Sequence, residues 1–130
     1  MLATPMTERP VSRGLIALFL VYTLFSVAGL LLLRRWLPAA RVSVSAGELT
    51  SYTTVLAATG AAAYIVSFLT WMVIVAQVPV ARAYPISVGL TLTFTALGAR
   101  LLLHEPFTAR QLAGTVVIFG GVLLLTVPSR

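Results

Sequence analysis

Arg82 has the clearest chemical possibility in this sequence. It stands three residues after Pro79 and directly before Ala83-Tyr84-Pro85. A guanidinium presents planar, bidentate donors that match phosphate oxygens. Prolines free backbone groups, which a membrane tolerates where they line a cavity. The competing reading is an arginine whose apolar stem lets it snorkel to the headgroups. Arg34, at the end of the first apolar run, is a second and weaker candidate for the same role.

Polar side chains inside apolar runs cost energy unless they are partnered or face water. Tyr22, Thr23 and Ser26 lie in the first run, with Tyr22 and Ser26 four apart and Gly29 continuing their face. Tyr64, Ser67 and Phe68 form a similar group in the second run. Tyr84, Ser87 and Thr91 follow in the third, with Pro85 beside them. These stripes can line a substrate cavity. Equally, each Ser or Thr can bond its own helix carbonyl and each Tyr can sit at the membrane interface.

What is missing narrows the chemistry. Glu48 and Glu105 fall in connections and Glu8 in the N-terminal tail, so no apolar run carries an acid. A proton-for-cation exchanger of familiar type needs such a carboxylate. One His, no Cys and three scattered Glu argue against an acid/base pair, a metal centre or a cofactor site, so no catalytic residue is assigned.

The elements that must position these residues are membrane helices. The chain is 59% hydrophobic and 9% charged, against about 45–50% and about 25% in soluble domains. The nine arginines punctuate apolar runs rather than forming a stripe, which argues against nucleic acid and for helix ends. The charge-free runs and the stops at Pro79, Pro106 and Pro128 predict an all-α, integral membrane bundle of four transmembrane helices. The spans are about 14–33, 53–77, 80–103 and 109–127 in a single domain covering 1–130. Residues 34–52 read as a loop or interfacial segment. The run Leu15–Leu33 is longer than the roughly 7–15 apolar residues of a signal peptide, so it reads as a retained helix.

Short connections make helices 2 and 3, and 3 and 4, antiparallel neighbours, with both chain ends on one side. That side holds Arg9, Arg13, Arg82 and Arg130; the other holds Arg34, Arg35, Arg41, Arg100 and Arg110. This near-tie leaves orientation undecided, or permits insertion both ways round. Gly114 and Gly121 lie seven apart on one face of helix 4, with Gly120 adjacent. They form a stripe suited to packing within the chain or against a second copy.

The order of these features resembles the drug/metabolite transporter superfamily (EamA-like and SMR-like proteins). Pro79 precedes helix 3, Glu105-Pro106 precedes helix 4, and Gly114 and Gly121 lie within it. Tyr64 and Phe68 resemble helix 2 aromatics of the small multidrug resistance exporters, and Tyr84 resembles their helix 3 Tyr. Ser26 stands where those exporters carry a Glu, Ser87 where they carry a Trp, and loop 1 is longer here. A closer match is the flippase subunits for aminoarabinose linked to undecaprenyl phosphate. It is carried by Ser26-Val27-Ala28-Gly29, Val78-Pro79-Val80, Ala83-Tyr84-Pro85, His104-Glu105-Pro106 and Gly114 to Gly121, across about 24–125.

This resemblance implies a transporter subunit of the bacterial inner membrane that flips a polyprenyl-phosphate-linked sugar or a related lipid. It also implies a homodimer, or a heterodimer with a similar four-helix subunit. A small-cation or drug exporter of the same fold is the first alternative. A non-transporting membrane scaffold for a glycosyltransferase is the second.

Overall fold

The computed structural model describes residues 12–127, the side chain of Thr126 excepted. Glu8, Arg9, Pro128 and Arg130 lie outside the described residues. Four helices follow one another: α1 (Arg13–Ser45), α2 (Tyr52–Val75), α3 (Val80–Leu102) and α4 (Ala109–Thr126). α1, α2 and α3 are long and apolar enough to cross a membrane. α4 has 18 residues, which reach about 27 Å at 1.5 Å per residue, close to a hydrocarbon core of about 30 Å.

Local chemistry sets the helix ends. The Ser12 and Ser51 hydroxyls accept from the N–H groups of Leu15 and Thr54, each satisfying an orphan donor of the first turn. Thr108 and Gln111 form a reciprocal capping box at the start of α4. At the end of α1, Gly47 takes a left-handed φ of 83°. The Glu48 N–H then donates to Ser43 O at 2.9 Å and the Gly47 N–H to Val44 O at 3.0 Å, which is a Schellman stop. α3 ends on His104, also left-handed at φ 53°.

The interior is small and polar and the exterior large and apolar. Buried positions include Thr23, Ser26, Ala57, Ser67, Ala83 and Ser87, while most leucines, valines and aromatics are exposed. In lipid, apolar side chains gain nothing by hiding, and close approach of small residues drives association. Gly60, Ser67 and Ile74 are buried at intervals of seven on α2. They form its seam against α1, which is the most extensive interface in the fold. A Cβ on Gly29 would lie 2.7 Å from Gly60 O, and one on Gly60 would lie 2.9 Å from the Leu32 Cβ. The two backbones touch where these glycines cross.

Two features depart from the sequence-based expectation. First, α1 does not end at Leu33; it continues as helix through Arg34, Arg35 and Pro38 to Ser45, so most of the expected loop is helical. The arginines mark where the helix leaves hydrocarbon, not where it stops. Pro38 removes one backbone bond, and the extension is held by its pairing with α2, including a Ser43–Thr53 hydroxyl contact at 3.1 Å. Second, α2 and α3 share little contact despite their short connection; α3 packs on α1 and α4 instead, and among the described helices α4 touches only α3. The turn at Pro79 fixes where α3 begins, and the small faces of α3 then decide its neighbours.

Candidate functional site

The distinctive chemistry lies along α3. Other hydroxyls of the bundle, Thr93 of the same helix included, follow the bland pattern of bonding their own helix. Thr23, Thr59, Thr70, Thr93 and Thr115 donate to the carbonyl four residues back, and Ser67 donates to Tyr64 O. Ser87, Thr91 and Thr95 do not. Their oxygens are buried and have no hydrogen-bond partner among the described residues, and Ser87 as a whole is 1% exposed. Spaced by four, they climb one stripe of α3 over about 12 Å. A buried hydroxyl left unbonded costs about 1–3 kcal/mol, so this column is hydrogen-bonding capacity that the described residues leave unused.

Aromatic rings stand at one end of the column. Trp71 of α2 packs with Tyr22 of α1 at 5.7 Å between ring centroids, and with Tyr84 of α3 at 6.1 Å, edge-on. The cluster spans three helices where α2 and α3 otherwise separate. Arg82 is exposed on the first turn of α3 at this end. Pro85 lies inside α3, where its missing N–H leaves Ala81 O without its usual helical donor.

Tyr84 and Pro85 also line an apolar groove of about 410 Å³ between α3 and α4, with Gly89, Ile118, Gly121 and Val122. Val122 seats directly on Gly89, closing the base of the groove.

At the other end, Arg34 meets Glu105 with Nη2–Oε1 at 3.0 Å and Nε–Oε1 at 3.1 Å. Leu31 packs against Gly98 next to this pair, fixing α1 on α3. The neighbouring Arg35 guanidinium lies 5.4 Å from the centroid of the Trp36 ring, and that ring meets Tyr52 edge-on at 5.7 Å. This is the amphipathic belt expected at a membrane interface.

The structure therefore brings Tyr22, Tyr84, Pro85 and Ser87 to one end of the bundle, with Arg82 exposed on the first turn of α3 at the same end. Ser26 is buried at 3% exposure on α1. Tyr64 and Phe68 depart from the expectation of a shared face with Ser67. Ser67 is buried, whereas they are 47% and 57% exposed, because the seam of α2 runs through Gly60, Ser67 and Ile74 and leaves them on its flanks. Arg34 stands at the opposite end from Arg82 and already holds a carboxylate. Gly114, Gly120 and Gly121 have nothing within 4 Å of an added Cβ among the described residues, so packing between the four helices does not use them.

Sequence reasoning missed Trp71, Thr95 and the Arg34–Glu105 pair. Thr95 had a signal, since it repeats the spacing of four from Ser87 to Thr91. Trp71 had one too, four residues beyond Ser67 on the α2 seam. The ion pair, 71 residues apart in sequence, had none.

Comparison with known proteins places the chain in context. Residues 3–127 match the EamA-like transporter family. A probable 4-amino-4-deoxy-L-arabinose-phosphoundecaprenol flippase subunit ArnF of Pseudomonas fluorescens is 32% identical over 97 residues, 74% of this chain and 66% of that protein. The ArnF subunit of Enterobacter sp. (strain 638) is 36% identical over 72 residues, 55% of this chain and 57% of its own length. The ArnE subunit of the same organism is 37% identical over 59 residues, 45% and 54% of the two chains. The chain thus spans between about half and two thirds of the curated relatives it matches. No solved structure matches.

Proposed function

This chain belongs to the EamA-like transporter family, and on that footing we propose that it is one subunit of a flippase that carries a polyprenyl-phosphate-linked sugar between leaflets. It is a multi-pass protein of the bacterial inner membrane. The substrate class is that of its relatives, 4-amino-4-deoxy-L-arabinose-phosphoundecaprenol. The observation that carries the reading is the unpartnered column Ser87–Thr91–Thr95. A sugar headgroup supplies the donors and acceptors that these hydroxyls lack, within a bundle whose outer surface is apolar.

The parts have separate tasks in this reading. Arg82 draws the phosphate to the mouth of the site by charge-assisted, bidentate hydrogen bonds. Tyr22, Trp71 and Tyr84 offer aromatic faces to the sugar ring. The α3–α4 groove opens sideways to lipid, so the isoprenoid tail never leaves hydrocarbon. The open Gly114–Gly121 face of α4 receives a second four-helix subunit, identical or similar, which completes the other wall of the path. In this reading the work is transport.

The test is translocation of labelled polyprenyl-phosphate sugar in proteoliposomes, with this protein alone and with a sister four-helix subunit. Arg82→Ala is expected to lower the rate at least tenfold while assembly is retained, the loss of one charge-assisted contact. Absence of translocation from well-assembled protein in both preparations would sink the proposal.

A further inference from the structure

The α1–α3 seam ends in a second cavity, of about 210 Å³, walled by Leu30, Leu31, Arg34, Thr95 and Glu105 among others. Its polar groups are poorly matched to one another. Both contacts from Arg34 fall on the same carboxylate oxygen, Oε1 of Glu105, so the guanidinium is not used in the parallel two-oxygen geometry that suits it best. The buried Thr95 hydroxyl beside them has no partner among the described residues. The pair is partly solvated, with side chains 66% and 41% exposed, so it is easily exchanged. Around it, Arg34, Arg35, Arg41, Arg100 and Arg110 stand at this end of the bundle against only Glu48 and Glu105 among the described residues. The local field therefore draws anions.

We propose that this cavity is a phosphate-ester subsite held shut by Glu105. An incoming phosphate takes the two-oxygen position on Arg34 and accepts from the Thr95 hydroxyl. Glu105 is displaced, and the α3–α4 connection is released from α1. The inference rests on the reading of the chain as a carrier of lipid phosphates and deepens it. Arg82 and Arg34 then hold phosphate at opposite ends of one path, with Tyr22 and Arg34 about 18 Å apart along α1. The ligand chemistry is a phosphate ester on a lipid, whether isoprenoid phosphate or glycerophospholipid headgroup.

The full chain in dodecylmaltoside micelles, carrying Trp71→Phe so that Trp36 is its sole tryptophan, is titrated with farnesyl phosphate, farnesol and phosphatidylglycerol. Trp36, two residues from Arg34, reports local binding. Glu105→Gln is expected to tighten farnesyl phosphate about tenfold and Arg34→Gln to weaken it about tenfold or more, with farnesol indifferent to both. Competition by phosphatidylglycerol assigns the site to bulk headgroups, and its absence to isoprenoid phosphates; either bears out the phosphate subsite. Unchanged or weaker farnesyl phosphate binding in Glu105→Gln overturns it, and this variant serves even if Arg34→Gln fails to fold. Translocation is not read in this titration. Its loss with binding intact removes the flippase reading alone, and lost binding with translocation intact removes the subsite alone.

Discussion

The α1–α2 hairpin and the α3–α4 arm are made from similar residues but are packed in opposite ways. In the hairpin, two glycine backbones touch at Gly29 and Gly60, and Thr23 and Ser67 bond their own helices. Ser43, Ser51, Thr53 and Thr54 tie the connection shut through hydroxyl contacts of 2.8–3.1 Å. In the arm, among the described residues, three hydroxyls are buried without partners, α4 touches α3 alone, and its glycines look into open space. One half is internally complete, and the other is unfinished without something else. That division suits a carrier, which needs a fixed frame for the moving part to work against.

The largest effect should come from filling the hairpin crossing. Gly29→Leu places side-chain atoms where the Gly60 carbonyl and the Tyr64 backbone already sit, and should destabilise the fold by about 3 kcal/mol or more. Thermal unfolding in detergent reads this. Gly121→Leu is the matched change on the arm. It should leave unfolding of the single chain unaltered and abolish association with a second subunit, seen by cross-linking in native membranes. Equal destabilisation by both would erase the contrast between frame and arm.

A smaller effect sharpens the comparison within the arm. The pair Ser87→Ala and Thr91→Val removes hydroxyls that have no partner in the fold. Stability should stay level or rise by up to about 1 kcal/mol, while translocation falls about tenfold. Thr23→Val in the hairpin removes a bonded hydroxyl and should show the opposite balance, some loss of stability with transport retained. If Ser87→Ala and Thr91→Val leave transport untouched, the column is a packing defect and not a path.

The smallest effect lies at the end of α3. His104→Gly relieves a left-handed backbone that disfavours side chains and should stabilise by roughly 0.5 kcal/mol, net of the added freedom of the unfolded chain. The same unfolding measurement detects it as a modest rise in midpoint. A fall would mean that the imidazole contributes more there than the backbone strain costs.

Much of the fold was legible because the signals were local. Long charge-free runs mark spans, and Pro79 and Pro106 mark breaks. The candidate residues on α3 were legible too, since Tyr84, Ser87 and Thr91 repeat at helical spacing within an apolar run. The extension of α1 was not, because Arg34-Arg35 signals a change of solvent and carries no stop of its own; the stop is Gly47. Nor was the separation of α2 from α3, which depends on what each face meets after the turn. Whether a threonine bonds its own helix is settled by rotamer and neighbours, so Thr93 and Thr95, two residues apart, have opposite fates that composition cannot distinguish.

The unequal helix lengths have a mechanical consequence. α1 has 33 residues and α4 has 18, lengths of about 50 Å and about 27 Å. α1 leaves hydrocarbon at Arg34-Arg35, so its extra length is an interfacial extension that holds the hairpin at the membrane surface. α4 has no such extension, and in a thicker bilayer it must be drawn toward one leaflet or pinch the lipid around it. Because α3 alone connects α4 to the rest, that tension is delivered to the Gly89–Val122 contact. A change in bilayer thickness is therefore expected to strain the α3–α4 contact before it strains the α1–α2 hairpin.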